Sequence, residues 1–194
     1  MMIRTSALVP FVLTALASFA ACAPRASSPG GPQAVVVTDA EGHARPLTAA
    51  LAPGKTTVVT FFSAHCPCQR AHDARLIALY EQYHPRGVEF LALDAEARAT
   101  PASDVAESKE RHYPFPLLTN ADGAAADAFG VVSATHTLVF DGDGRVRYTG
   151  AIDSDRKSLS ADAHPYLQEA LDDVLAGRDV RTPSGKVLGC ALER

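Results

Sequence analysis

Two short stretches of the chain are apolar almost without a break, and they organise the pattern around them. Thr56–Phe62 (TTVVTFF) and Val88–Leu93 (VEFLAL) are too short for helices. They are also rich in β-branched and aromatic residues, as strands buried on both faces are. Between them Leu76, Ile77, Tyr80 and Tyr83 fall on one face at helical period, which predicts a helix from Pro67 to about His84. A strand, a helix and a strand in that order imply a parallel crossover. Ala34–Thr38 (AVVVT) is a further β-branched run, closed by a turn at Asp39–Gly42. Downstream, the pattern predicts a helix over Ala102–His112 that Pro114 and Pro116 break, and a short helix over Ala124–Phe129 stopped by Gly130. Thr137–Phe140 and Val146–Thr149 flank Asp141-Gly142-Asp143-Gly144, the signature of a β-hairpin. Leu167, Leu171, Val174 and Leu175 mark one side of a helix over Tyr166–Ala176, with Gly177 as its stop. The natural solution is an α/β fold, a mixed central sheet with helices on both faces.

The ends of the chain read differently. Residues 1–21 start with the basic Arg4, continue through an apolar stretch from Ala7 to Ala21, and have small residues at Ser18, Ala20 and Ala21, the pattern of a secretory signal. Phe19-Ala20-Ala21-Cys22 resembles the lipobox of bacterial lipoproteins, which implies lipidation of Cys22. Residues 22–33 continue in Pro, Ser and Gly and read as a flexible tether. The domain is expected over 34–177. An extended tail follows over 178–194, with Pro183, Gly185, Gly189 and Cys190. The expected setting is the bacterial cell envelope, with a lipid anchor in the membrane and the domain facing the periplasm, where disulfides persist.

At 194 residues the chain has room for one ordinary domain. Its formal net charge of −4 argues against a general nucleic-acid binder. It has no apolar run of membrane-spanning length.

The chemistry concentrates at Cys66-Pro67-Cys68, where a buried strand gives way to a helix. Proline suits the first helical position, since its missing N–H would be unpaired there anyway. That makes Cys66 the expected N-cap, its sulfur facing free amides and the positive end of the helix dipole. Such a seat stabilises thiolate over thiol, and thiolate is the nucleophile.

Val58–Cys66 (VVTFFSAHC) followed by Pro67 resembles the active-site strand and turn of the thioredoxin-like superfamily. Cys66–Leu93 and Leu138–Ile152 resemble its redoxin branch, which includes peroxiredoxin-like AhpC/TSA proteins and envelope thiol reductases. The resemblance implies a three-layer thioredoxin-like fold with Cys66 as the reactive cysteine, and Ser63, His65, Pro67, Thr135 and His136 as supporting positions. Gln69 stands where Cys-x-x-Cys would place the second thiol, and Val59 where the peroxiredoxin motif would place proline. Ala134-Thr135-His136-Thr137 carries no proline at the expected docking loop, so a trans bond is expected there. The resolving thiol is Cys68 or Cys190. Gly189-Cys190 looks like a Gly-Cys that recurs at the C-terminus of some redoxin-like chains.

The implied activity is thiol–disulfide exchange, with reduction of hydroperoxides as the second enzymatic reading. Substrates would be thiol or disulfide proteins or small peroxides, with an external thiol as reductant and no cofactor. A third reading, copper binding or assembly, rests on Cys66, Cys68 and His72, with His65 beside them, as a sulfur–nitrogen metal cluster. Asp94 and Glu96, just after a buried strand, are expected as exposed loop acids, with a place at the active-site mouth as the other reading.

Overall fold

The computed structural model describes residues 34–194; the signal, Cys22 and the tether lie outside the described residues. The chain runs β1 (Val36–Thr38), β2 (Ala44–Pro46), α1 (Leu47–Ala50), β3 (Thr56–Phe62), α2 (Pro67–Tyr83), β4 (Val88–Asp94), α3 (Pro101–Glu110), β5 (Leu117–Thr119), α4 (Ala124–Phe129), β6 (Thr137–Phe140), β7 (Val146–Gly150) and α5 (Tyr166–Leu175). One seven-stranded sheet has the order β2-β1-β5-β4-β3-β6-β7. β3 and β4 are parallel, with Phe62 opposite Asp94, and α2 is their crossover. β6 joins the other side of β3 antiparallel and β7 completes the hairpin.

Because side chains alternate along a strand, β3 feeds two cores. Val59 and Phe61 face a cluster with Leu47, Leu93, Leu138 and Ala126. Val58 and Phe62 face the other, with Leu76 and Tyr83 of α2 and Leu167 and Leu171 of α5. Helices thus cover both faces of a mixed sheet, the α/β thioredoxin-like fold expected.

Two strands escape the apolar pattern. β2 is exposed along its whole length, an edge strand with no buried face to mark it. β5 has three residues, all buried, too few to show a period.

The segment 178–194 is extended and threaded onto the domain. Ser184 bridges Thr149 of β7, and Ala191 pairs with Ser133. Glycine is needed at both crossings. A Cβ on Gly150 would stand 2.9 Å from the Gly185 Cα, and one on Gly189 would overlap the carbonyl oxygen of Ala134. Leu192 is buried in the same cluster as Cys66 and Cys68.

Candidate active site

β3 ends at Phe62, and the next residues turn into α2. The buried Ser63 accepts the Cys66 N–H on its carbonyl at 3.3 Å. Cys66 keeps an extended backbone (φ −84°, ψ 112°) and caps α2, with Pro67 at the first position of the helix. Its Sγ accepts the Gln69 N–H at 3.4 Å, taking the place that a serine or aspartate oxygen usually fills at a helix start.

The second sulfur arrives from the far end of the chain. Cys190 Sγ lies 2.7 Å from Cys66 Sγ, and the Cys190 N–H also donates to Cys66 Sγ at 3.4 Å. The Cys190 carbonyl accepts the Ala134 N–H at 2.9 Å, and the Leu192 N–H donates to the Val132 carbonyl at 3.1 Å. Arg194 closes the segment on Asp127 and the Val131 carbonyl.

The two thiols are unequal. Burial opposes the Cys66 thiolate, but hydrogen bonds from the Cys190 thiol and from the amides of Gln69, Cys190 and Cys68 outweigh it and hold its pKa below that of an ordinary cysteine. Burial, the hydrogen bond to Cys66 and its charge push Cys190 up to about 12. Cys66 is therefore the more readily ionised of the pair, and Cys190 is the sulfur that keeps its proton. Cys68 is 2% exposed, and its sulfur lies within 4.8 Å of both.

The segment 134–137 takes an unusual backbone. Thr135 is buried at φ +64°, and no cis peptide bond occurs among the described residues. The Thr135 N–H donates to the Phe61 carbonyl at 2.8 Å, and the Phe61 N–H to the His136 carbonyl at 2.8 Å, tying the loop to β3. His136 is half-buried, its Nε2 2.8 Å from Thr149 Oγ1, and burial lowers its pKa.

Three expectations need correction. His72 is no metal ligand beside the cysteines. It is buried, with Nδ1 2.8 Å from the Cys68 carbonyl and Nε2 3.1 Å from Asp153, so both ring nitrogens are engaged. Asp153 also takes Arg75 at 2.5 Å. Burial disfavours the charged ring, but the Asp153 contact wins and raises the His72 pKa. His65 is exposed; the bonds that favour the Cys66 thiolate come from main-chain amides and the Cys190 thiol instead. Asp94 and Glu96 are buried, 4% and 7% exposed. Glu96 accepts the Glu193 N–H at 3.2 Å, so it anchors the tail.

A polar network behind α2 carries no local sequence signal. Gln69 is fully buried, and its Nε2 reaches Tyr113 Oη at 3.1 Å and Asp73 at 3.3 Å. Arg111 joins Asp73 at 2.8 Å and the Ala64 carbonyl at 3.0 Å, with its guanidinium over the Phe62 ring at 4.7 Å. This network holds Gln69, and with it the amide that faces Cys66. Gln69 and Asp73 stand in CPCQRAHDAR and Arg111 in SKERHYP, among polar neighbours that give no sign of burial.

Residues 24–165 match the family model described as Redoxin. The chain belongs to the Redoxin family. It is 30% identical over 115 residues to the thiol-disulfide oxidoreductase ResA of Bacillus thuringiensis subsp. konkukian. That match covers 57% of this redoxin and 62% of ResA, so it spans less than two thirds of the curated relative. An uncharacterised conserved protein from Geobacillus kaustophilus superposes with a TM-score of 0.74 at 26% identity, covering 86% of this chain and 92% of that one. A hypothetical protein from Sinorhizobium meliloti 1021 superposes with a TM-score of 0.73 at 29% identity, covering 84% and 93%.

Proposed function

We propose that this redoxin is an envelope thiol–disulfide oxidoreductase in which Cys66 is the nucleophile and Cys190 the resolving thiol. The observation that carries the reading is the 2.7 Å approach of the Cys190 sulfur to a Cys66 sulfur seated at a helix start.

In the reductive direction the Cys66 thiolate attacks one sulfur of a substrate disulfide. A mixed disulfide forms, and the substrate's other sulfur leaves as thiolate and takes a proton. Cys66 is 1% exposed, so this attack requires the tail to lift from Ser133–Thr135. Mixed-disulfide formation also removes the Cys66 charge, one of the causes that keep Cys190 protonated. Cys190 then loses its proton and attacks the Cys66 sulfur. The substrate leaves with two electrons gained, and a Cys66–Cys190 disulfide remains. An external dithiol restores the pair: one of its thiolates attacks Cys190, the more exposed sulfur, and expels Cys66, since the thiol of lower pKa leaves faster, and its second thiolate then displaces Cys190, so that the reductant leaves as a disulfide.

The same reading keeps residues 1–21 as a signal, Cys22 as a lipidated anchor and 22–33 as a tether to the domain and its tail. The similarity to ResA over 115 residues supports the disulfide chemistry.

Mass spectrometry of the oxidised chain with disulfides intact tests the pairing. A peptide linking Cys66 to Cys190 is expected, and a Cys66–Cys68 link or two free thiols would overturn the assignment. Cys66→Ser should abolish turnover of a disulfide substrate.

A further inference from the structure

The exchange chemistry uses two thiols, yet the site holds three. The sulfurs of Cys66, Cys68 and Cys190 all lie within 4.8 Å of one another. Cys68 is buried, 2% exposed, and the exchange steps assign it no part. Among the described residues no histidine or carboxylate joins this group, and His72 has both ring nitrogens engaged elsewhere.

We propose that the reduced chain binds a soft monovalent cation of the copper(I) class through Cys66, Cys68 and Cys190. Thiolate sulfur selects soft ions, and these donors are sulfur alone. Metal–sulfur bonds of about 2.3 Å in a trigonal plane place the sulfurs about 4 Å apart, within the radius that encloses the three. The Cys66–Cys190 pair must open, from 2.7 Å, and Cys190 sits on the tail, the part of the site threaded over the surface. Zinc prefers four ligands in a closed site, and the described residues offer no fourth side-chain ligand to this group. Three thiolates around a monovalent ion leave the complex anionic, which suits the start of a helix. Loading displaces thiol protons and excludes the Cys66–Cys190 disulfide, so the redox state of that pair gates the site. The inference needs only three thiols and does not rest on turnover of a disulfide.

The test is an anaerobic titration of the fully reduced chain with copper(I), against a coloured copper(I) chelator. Cys22 is replaced by serine so that only the site thiols count. One ion per chain is expected. Cys68→Ser and Cys190→Ser should each weaken binding at least tenfold, His72→Gln should leave it unchanged, and the disulfide form should take up none. X-ray absorption on the loaded chain, which needs none of the site variants, should show three sulfur neighbours. No uptake by the reduced chain, full affinity in Cys68→Ser, or nitrogen or oxygen ligands on the metal would each overturn the proposal. A tighter hold on zinc(II) than on copper(I) would do the same.

Discussion

Replacing Gly189 by alanine tests whether docking of the tail creates the reactive pair. A Cβ at 189 would overlap the Ala134 carbonyl oxygen and stand 2.7 Å from both the Ala134 carbonyl carbon and Thr135 Oγ1. Non-bonded carbons meet at about 3.5–4.0 Å, so one of the two backbones must retreat by about 1 Å. Ala134 is fully buried, and its neighbour Thr135 is tied to the central strand by the bond to Phe61. The tail is therefore the part that moves. A disulfide spans about 2.03–2.05 Å, and a further 1 Å beyond the present 2.7 Å takes Cys190 out of bonding reach.

The docked tail stands to lose two main-chain hydrogen bonds, Ala134 to Cys190 and Leu192 to Val132, at about 0.5–1.5 kcal/mol each. It also stands to lose the burial of Leu192, about 1.5–3 kcal/mol. Even the lower end, about 2.5 kcal/mol, is more than a tenfold change in the docked population. The assay is stopped-flow reaction of the reduced chain with an aromatic disulfide that releases a coloured thiol. The wild type should release two equivalents together, because resolution follows attack. Gly189→Ala should release the first and lag at least tenfold on the second, with the mixed disulfide found on Cys66. Release of both equivalents at the wild-type rate would refute the reasoning.

Four further outcomes follow from the contacts. Cys190→Ala removes the thiol contact that helps to lower the Cys66 pKa, so the pH profile of Cys66 alkylation should move up toward an ordinary cysteine, about 8.5; an unmoved profile contradicts that contribution. Burial and the charge of Asp104 push Asp94 up to about 8, so the folded chain holds a proton that the unfolded chain gives up near pH 4, and stability falls as pH climbs between them. Asp94→Asn should gain stability over the wild type with rising pH, on the order of 2–5 kcal/mol by pH 9, and urea melts that run parallel from pH 5 to 9 would exclude this. The His72 pKa is raised and that of Asp153 lowered, so their pairing stabilises once pH exceeds the range of an unfolded aspartate and is lost as pH rises through the His72 value. His72→Gln should accordingly cost more at pH 6 than at pH 9 in thermal melts, and equal costs would count against the pair. Arg111→Met strands the Asp73 carboxylate and should cost about 3–5 kcal/mol in chemical denaturation; a loss under about 1 kcal/mol would show that Asp73 is not held by that contact.

The parts of the fold visible in the sequence are those whose cause is local. β3 and β4 announce themselves through unbroken apolar runs, α2 through one apolar face, and the Cys66 cap through a proline placed where helices begin. The parts that were not visible depend on partners far along the chain. Whether Asp94 and Glu96 face solvent is decided by α3 and by the tail laid over them, not by the strand they follow. His72 looks like a ligand from its spacing to Cys68, but Asp153, 81 residues away, claims its ring. Cys190 could be named as one of two resolving thiols, but its approach to Cys66 across a separation of 124 residues depends on how the whole tail packs, with Gly189 against Ala134 at the closest crossing.

That separation changes what controls the proposed chemistry. The residue three positions after Cys66 is Gln69, whose amide faces the sulfur while its side chain is held by Tyr113 and Asp73. The helix thus offers Cys66 a donor that favours thiolate but no partner sulfur one turn on. The partner sits instead on a strand of tail held by a few main-chain bonds and one buried leucine. Docking of that tail and formation of the disulfide are linked equilibria, so each must favour the other by the same factor. Any contact that steadies the docked tail, such as Glu193 on Glu96 or Arg194 on Asp127, therefore stabilises the oxidised pair. Weakening Arg194, remote from both sulfurs, should make the disulfide easier to reduce without altering the chemistry at Cys66.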